Sequence, residues 1–183
     1  MATINNSSVA RTGDNPFLKL VAILSNLSGW IAAGFILLAV FITCQMIFVR
    51  FVLNQSTIWQ TEFVVYLMIA ATLMGLPYVQ WLRGHVNVDL LPLMLSKSSR
   101  KFLAIFTLFL GILMVGIMVF YGFEFWHEAW SRNWRSDTVW GVRLWIPYLA
   151  MPIGFILYLL QLIADLVAIL TGVEEPFGIE GEK

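Results

Sequence analysis

Charge is scarce in this sequence: 12% of its 183 residues are Asp, Glu, Lys or Arg, about half of what a soluble domain carries. Eleven basic residues balance eleven acidic ones, so there is no cationic surplus to neutralise a phosphate backbone, and nucleic acid is excluded as a partner. There is one cysteine, Cys44, which rules out an intrachain disulfide, thiolate metal clusters and C-x-x-C-H haem attachment. The two histidines, His85 and His127, flank an apolar stretch. If that stretch crosses a membrane, they lie on opposite faces and share no haem or zinc. His127-Glu128 lacks the second histidine of H-E-x-x-H, and no Gly-rich phosphate loop or G-x-S-x-G is present. An enzyme reading has no chemical constellation behind it, and no cofactor is expected in this chain.

What the sequence holds in quantity is apolar surface, with 60% hydrophobic and 15% aromatic residues. Four stretches carry no charge at all: 30 residues between Lys19 and Arg50, 20 between Glu62 and Arg83, 22 between Lys101 and Glu124, and 21 between Arg143 and Asp165. About 20 apolar residues in a helix cross a bilayer core, so each stretch is one crossing and none makes two. The backbone must satisfy its own hydrogen bonds in lipid, and a helix does that alone. The predicted fold is an all-α integral membrane protein with four transmembrane helices at about 20–49, 62–82, 102–126 and 144–170. Interfacial helical segments are a further expectation. Ser25, Asn26 and Ser28 suggest that the first stretch starts in the interface and crosses from about Trp30 to Val49. Residues 1–19 and 171–183 read as polar and acidic tails around this domain, with no cleaved leader.

Four crossings put both ends of the chain on one side. That side, with the 83–101 connection, holds Arg11, Lys19, Arg83, Lys97, Arg100, Lys101 and Lys183, against Arg50, Arg132, Arg135 and Arg143 on the other. The positive-inside rule therefore places both termini in the cytoplasm. Spacings of Gly29 with Ala33, Ala71 with Gly75, and Ala150 with Gly154 suit close helix packing. Pro77, Pro147 and Pro152 read as kinks.

Three places carry chemistry at the edges of these crossings. Arg50 ends the first and Glu62 opens the second, and a carboxylate at the edge of an apolar span predicts an Arg50–Glu62 ion pair. The competing reading leaves Glu62 in the headgroups, favoured by the helix dipole. The cytoplasmic connection Arg83-Gly84-His85-Val86-Asn87-Val88-Asp89 alternates polar and apolar residues, as a short extended stretch would. From spacing alone the favoured reading is a turn between two crossings with Arg83 snorkelling to the headgroups. Five of the eight tryptophans, Trp126, Trp130, Trp134, Trp140 and Trp145, crowd the third connection. The first three would share a stripe if the third helix continues, with Glu128, Arg132 and Arg135 on another face. They read as interfacial anchors. The alternative adds a periplasmic partner contact through Arg132, Arg135, Asp137 and Arg143.

In order and spacing these landmarks resemble one family. Trp59-Gln60-Thr61-Glu62, Gly75 and Pro77, the Arg83 to Asp89 run, Arg50 before Asn54-Gln55-Ser56, and Ile146-Pro147-Tyr148 with Pro152-Ile153-Gly154 are similar to the small membrane subunit of tripartite ATP-independent periplasmic (TRAP) transporters, the DctQ-like family. The resemblance covers about Leu20 to Leu170. It implies a multi-pass protein of the bacterial inner membrane with two protein partners. One is a large DctM-like membrane subunit that moves the substrate, with sodium coupling expected there. The other is a DctP-like periplasmic binding protein that captures an organic anion, for example a C4-dicarboxylate or sialic acid. The small subunit would brace the scaffold of the large, elevator-type one, with lipid around both. Carried over, Arg50 and Glu62 are periplasmic-side structural or subunit-contact positions, and Arg83, His85 and Asp89 form the cytoplasmic-side motif. None of them is a substrate or sodium ligand. Hydropathy alone equally supports a generic four-helix scaffold or assembly subunit of another inner-membrane complex.

Overall fold

A computed structural model describes residues 15–82 and 96–173 of the chain. These residues form five helices: α1 (Pro16–Phe51), α2 (Gln60–Trp81), α3 (Lys97–Ser131), the single turn α4 (Trp145–Tyr148) and α5 (Ala150–Leu170). α1, α2, α3 and the α4–α5 unit are each long and apolar enough to cross a membrane. The protein is an all-helical membrane protein.

The helix starts follow local chemistry. Pro16 occupies the first turn of α1, where a missing N–H costs nothing, and the Asn15 side chain accepts from the Phe17 N–H at 3.3 Å. Ser96 caps α3 by accepting from the Ser99 N–H at 3.4 Å. α2 has no side-chain cap and carries Glu62 in its first turn instead, where a carboxylate complements the helix dipole. α1 and α3, at 36 and 35 residues, are about 54 and 52 Å long, well beyond a hydrocarbon core of about 30 Å.

Lipid tails are as apolar as leucine, so burial of apolar area does not drive helices together here, and close contact between small residues does. α1 packs along α2 through Ala39, Ile42 and Leu67, and along α5 through Leu18, Val21, Ala164 and Ala168. α3 joins this three-helix group chiefly through α5. Its residues Ala104, Gly111, Val115, Gly122 and Ala129 recur at intervals of seven or four, one seam of a helix. Ala104, Val115 and Ala129 are buried, and Gly111 and Gly122 lie against Leu162 and Phe155. The remaining surfaces of α1 and α3 are broad and apolar, with Leu37 and Phe41 each 72% exposed and Phe120 66%.

One close approach between helices depends on a proline and a glycine. α2 continues as helix through Pro77, which is buried. Proline has no N–H, so the Leu73 carbonyl four residues earlier loses its helical partner. That carbonyl faces Gly154 of α5, where an added Cβ would stand 2.9 Å from the Leu73 oxygen and 3.0 Å from its carbon. Gly29 of α1 is filled similarly, by the ring of Tyr78. Gly75 lies opposite Ala32, 3.9 Å from its Cβ once a Cβ is added.

Candidate functional site

A chain of side-chain hydrogen bonds joins α1, α2 and α5 near the end of the bundle that holds the start of α1. Gln161 and Asp165 lie one turn apart on α5. The Asp165 carboxylate accepts from the Gln161 Nε2 at 2.7 Å through one oxygen and from the Gln80 Nε2 at 2.7 Å through the other. The Gln161 Oε1 in turn accepts from the Ser25 hydroxyl at 2.7 Å, and the Ser28 hydroxyl donates to the Ser25 carbonyl at 2.8 Å. Ser25, Ser28 and Gln161 are all buried. In a low-dielectric interior such a network is strong when complete and costly when broken. Ser25 and Ser28, which suggest an interfacial start in the sequence, direct their hydroxyls to the Gln161 side chain and the Ser25 carbonyl inside the bundle. Sequence reasoning missed Asp165, Gln161 and Gln80. The available signal was an amide four residues before a carboxylate on an otherwise apolar helix.

The opposite end carries a second polar centre. Glu62 accepts from the Tyr66 hydroxyl one turn along α2 and from the Thr138 hydroxyl of the α3–α4 connection. Thr138 lies within hydrogen-bonding distance of Ser136, their hydroxyl oxygens 3.0 Å apart. The connection folds back on itself. The Ser136 N–H donates to the Val142 carbonyl at 2.9 Å and the Leu144 N–H to the Trp134 carbonyl at 3.0 Å, so Arg135 and Arg143 face each other across an antiparallel bridge. Gly141 takes a positive φ of 61° where the chain reverses. Trp140 then packs its ring on Trp59 and Phe63 of the α2 entry, with centroids 6.4 and 6.0 Å away. Glu62 and Trp140 together latch the loop onto α2.

The expected Arg50–Glu62 ion pair does not form. Arg50 donates through Nε to the Thr57 hydroxyl at 2.6 Å, inside its own connection, while hydroxyls from α2 and the loop take both Glu62 oxygens. A first-turn carboxylate already favoured by the helix dipole gains enough from neutral donors. A double-mutant cycle on Arg50→Ala and Glu62→Ala is expected to show coupling below about 0.5 kcal/mol. Glu62→Ala alone should speed amide exchange at Ser136–Val142, which Arg50→Ala should leave unchanged.

The five clustered tryptophans divide among α3, the connection that follows it and α4. α3 ends at Ser131, and Asn133 turns the chain with a φ of 50°, so Trp134 leaves the stripe predicted for it and packs on Phe125, centroids 5.7 Å apart. Trp126 and Trp130 stay on α3. The Trp126 Nε1 donates to the Trp145 carbonyl at 3.1 Å, and the rings of Trp130 and Trp145 meet at 4.6 Å. Arg132 pairs with Glu128 on α3 at 3.0 Å, which leaves Arg135, Asp137 and Arg143 on the exposed rim of the loop.

A family model described as tripartite ATP-independent periplasmic transporters, DctQ component, matches residues 39–172. The chain belongs to this family. Membership makes it a transporter component and decides against an assembly subunit of an unrelated complex. No curated protein matches the chain. The DctQ match takes in the Glu62 latch, the tryptophan cluster, Gly154, and Gln80, Gln161 and Asp165 of the polar network. Ser25, which ties α1 to that network, precedes it. The DctQ-like motif residues Arg83, His85 and Asp89 lie outside the described residues.

Proposed function

We propose that this DctQ chain is the non-catalytic small subunit of a sodium-coupled, binding-protein-dependent transporter for organic anions in the bacterial inner membrane, where it braces the scaffold of the large subunit. The observation that carries this reading is how the polar groups inside the bundle are used. Gln80, Gln161, Ser25 and the Asp165 carboxylate bond to one another across three helices, as a clamp does. A transport path needs polar groups that line a water-filled route or a broken helix. The wide apolar faces of α1 and α3 suit a chain that enlarges another membrane domain. The positive-inside rule assigns both termini to the cytoplasm, and the family resemblance assigns Arg83, His85 and Asp89 to contact with the large subunit or lipid headgroups on that side. Sodium and substrate are handled by the large subunit and the binding protein. Reconstitution of those two proteins with and without this chain tests the proposal: sodium-driven uptake is expected only with it. Full uptake in its absence would remove the bracing role.

A contact with the binding protein on the periplasmic side has one observation in its favour. Arg135 and Arg143 form the non-hydrogen-bonded pair of their bridge, the type with the closest side chains. Like charges in that position are destabilising, and among the described residues neither has an acidic partner. An acidic surface of the docking protein relieves this repulsion. Arg132, paired with Glu128, is less suited. The double reversal Arg135→Glu/Arg143→Glu should cut uptake about tenfold at limiting binding protein, by loss of complementary charge. Unchanged uptake would leave the loop and its tryptophans as a membrane anchor alone.

A further inference from the structure

α3 is the least enclosed crossing, with α5 as its main neighbour, and its outer surface carries two features that lipid does not explain. The first is Glu124. It lies seven residues before the end of α3, about 10 Å below it along the axis, two residues before Trp126 and so at the inner edge of the tryptophan belt. Glu124 is exposed and, among the described residues, has neither an ion-pair nor a hydrogen-bond partner. It lines a groove of about 440 Å³ between α3 and α5, with Val119, Phe120, Phe123, His127 and Ile156. The His127 ring stacks on Phe123, centroids 6.4 Å apart. A carboxylate on an apolar membrane helix normally faces a partner or water, and here it faces an apolar groove.

The second feature is Gly116. A Cβ added there would meet nothing within 4 Å, so no packing inside this chain calls for glycine. Within a helix, glycine lowers stability relative to alanine, and against fluid lipid it gains nothing. Its use in membranes is to let a second helix backbone come close. At 100° per residue Gly116, Phe120, Phe123 and His127 fall within about 60° of one another around α3, with Glu124 at the edge of that face. Glycine, aromatic groove and unpaired acid therefore belong to a single surface.

We infer that the groove between α3 and α5 receives a transmembrane helix of the large subunit, crossing at Gly116 and placing a Lys or Arg on Glu124. The inference rests on the subunit role proposed above and names the face that carries it. It also sets a spacing: the basic residue lies about 12 Å along the partner helix from the crossing point, since Gly116 and Glu124 are eight residues apart. Charge complementarity selects a basic helix, and the open glycine selects a helix over a lipid.

Capture of the large subunit by this chain after co-expression tests it. Glu124→Arg and Gly116→Leu should each lower capture at least about tenfold, and Glu124→Gln should fall between them and wild type, as for loss of a desolvated charge pair. All three should reach the membrane at wild-type level, because both residues face outward. Gly34 of α1 is open in the same way, but the charged residues of that helix, Lys19 and Arg50, both have partners, so Gly34→Leu, with no free acid on its helix, should capture normally. An acidic substitution at the facing Lys or Arg of the large subunit should restore capture by Glu124→Arg. Wild-type capture by both Glu124→Arg and Gly116→Leu overturns the inference while leaving the subunit role intact. Retained capture with loss of co-purifying phosphatidylethanolamine overturns it in favour of an ammonium headgroup. If the wild-type chain itself captures no large subunit, the subunit role fails, and this inference fails with it.

Discussion

Gly154→Leu is expected to separate α2 from α5 and produce the largest loss of stability of any single substitution in the described part of the chain. Even a methyl group on Gly154 would stand 2.9 Å from the Leu73 oxygen, and the obstacle is backbone, which cannot rotate away as a side chain can. Overpacking usually costs about 1–3 kcal/mol when neighbours can adjust. Here the helices themselves must move apart, so the upper end of that range is the expectation. For a chain of this size it corresponds to a fall of roughly 6–12 °C in thermal midpoint. Gly34→Leu, with no neighbour near it, supplies the control and should melt within a degree or two of wild type. Thermal unfolding in detergent, followed by circular dichroism or by fluorescence of the tryptophans, makes the comparison. A Gly154→Leu chain that melts with wild type would mean that α2 and α5 do not meet at Leu73. Pro77→Ala offers a partner experiment. Restoring an N–H there lets the Leu73 carbonyl bond along its own helix, and α5 loses part of the shape it packs against.

Asp165→Leu should have the next largest effect, by a different mechanism. It strands the Nε2 donors of Gln80 and Gln161, which both bond to the carboxylate at 2.7 Å. Side-chain hydrogen bonds between membrane helices average about 0.6 kcal/mol and reach about 1.7, so two lost together amount to about 1–3 kcal/mol. Leaving buried donors unsatisfied pushes toward the top of that interval. Asp165→Asn, which keeps an acceptor, is expected to lose about half as much. Ser25→Ala removes the bond that ties α1 to the network and should lose about 0.6 kcal/mol. The ordering leucine, asparagine, Ser25→Ala is the prediction, read by reversible unfolding in mixed micelles. Equal stability for Asp165→Leu and wild type would remove the clamp. The triple substitution of Asp165, Gln161 and Gln80 by leucine should recover part of the loss, because the stranded amides are then gone and only the Ser25 hydroxyl has lost its acceptor.

These two predictions lie at opposite ends of what could be read from the residues. Gly154 was legible: its spacing from Ala150 marked it as a close-packing position, and Pro77 was expected to disturb its helix. That the freed carbonyl and the bare glycine meet was not legible, because spacing shows which face a residue occupies but not which face it meets. Asp165 marks only the end of a charge-free stretch, and the polarity of Ser25 and Ser28 suggests an interfacial start without showing which groups they bond. At the other end Glu62 was correctly singled out as unusual, and its partner was misassigned to Arg50. The nearest opposite charge in sequence lost to Thr138, whose loop folds over the start of α2. Trp134 was placed on a helical stripe by its interval of four, and the turn at Asn133 removed it.

Sequence by itself determined that this chain lives in a membrane, how many times its helices cross, and which family it belongs to. Each of those follows from local quantities: charge-free length set against bilayer thickness, and short motifs in a given order. Only the tertiary structure decided which polar groups satisfy one another. Beyond the bonds one turn along their own helices, the partners of Asp165, Gln161 and Glu62 come from residues 85, 136 and 76 positions away, brought together by how the elements pack. No periodicity along one helix encodes that meeting. In lipid the meeting is decided less by apolar area, which every face here has in excess, than by where small residues let backbones approach and where polar groups have no other partner.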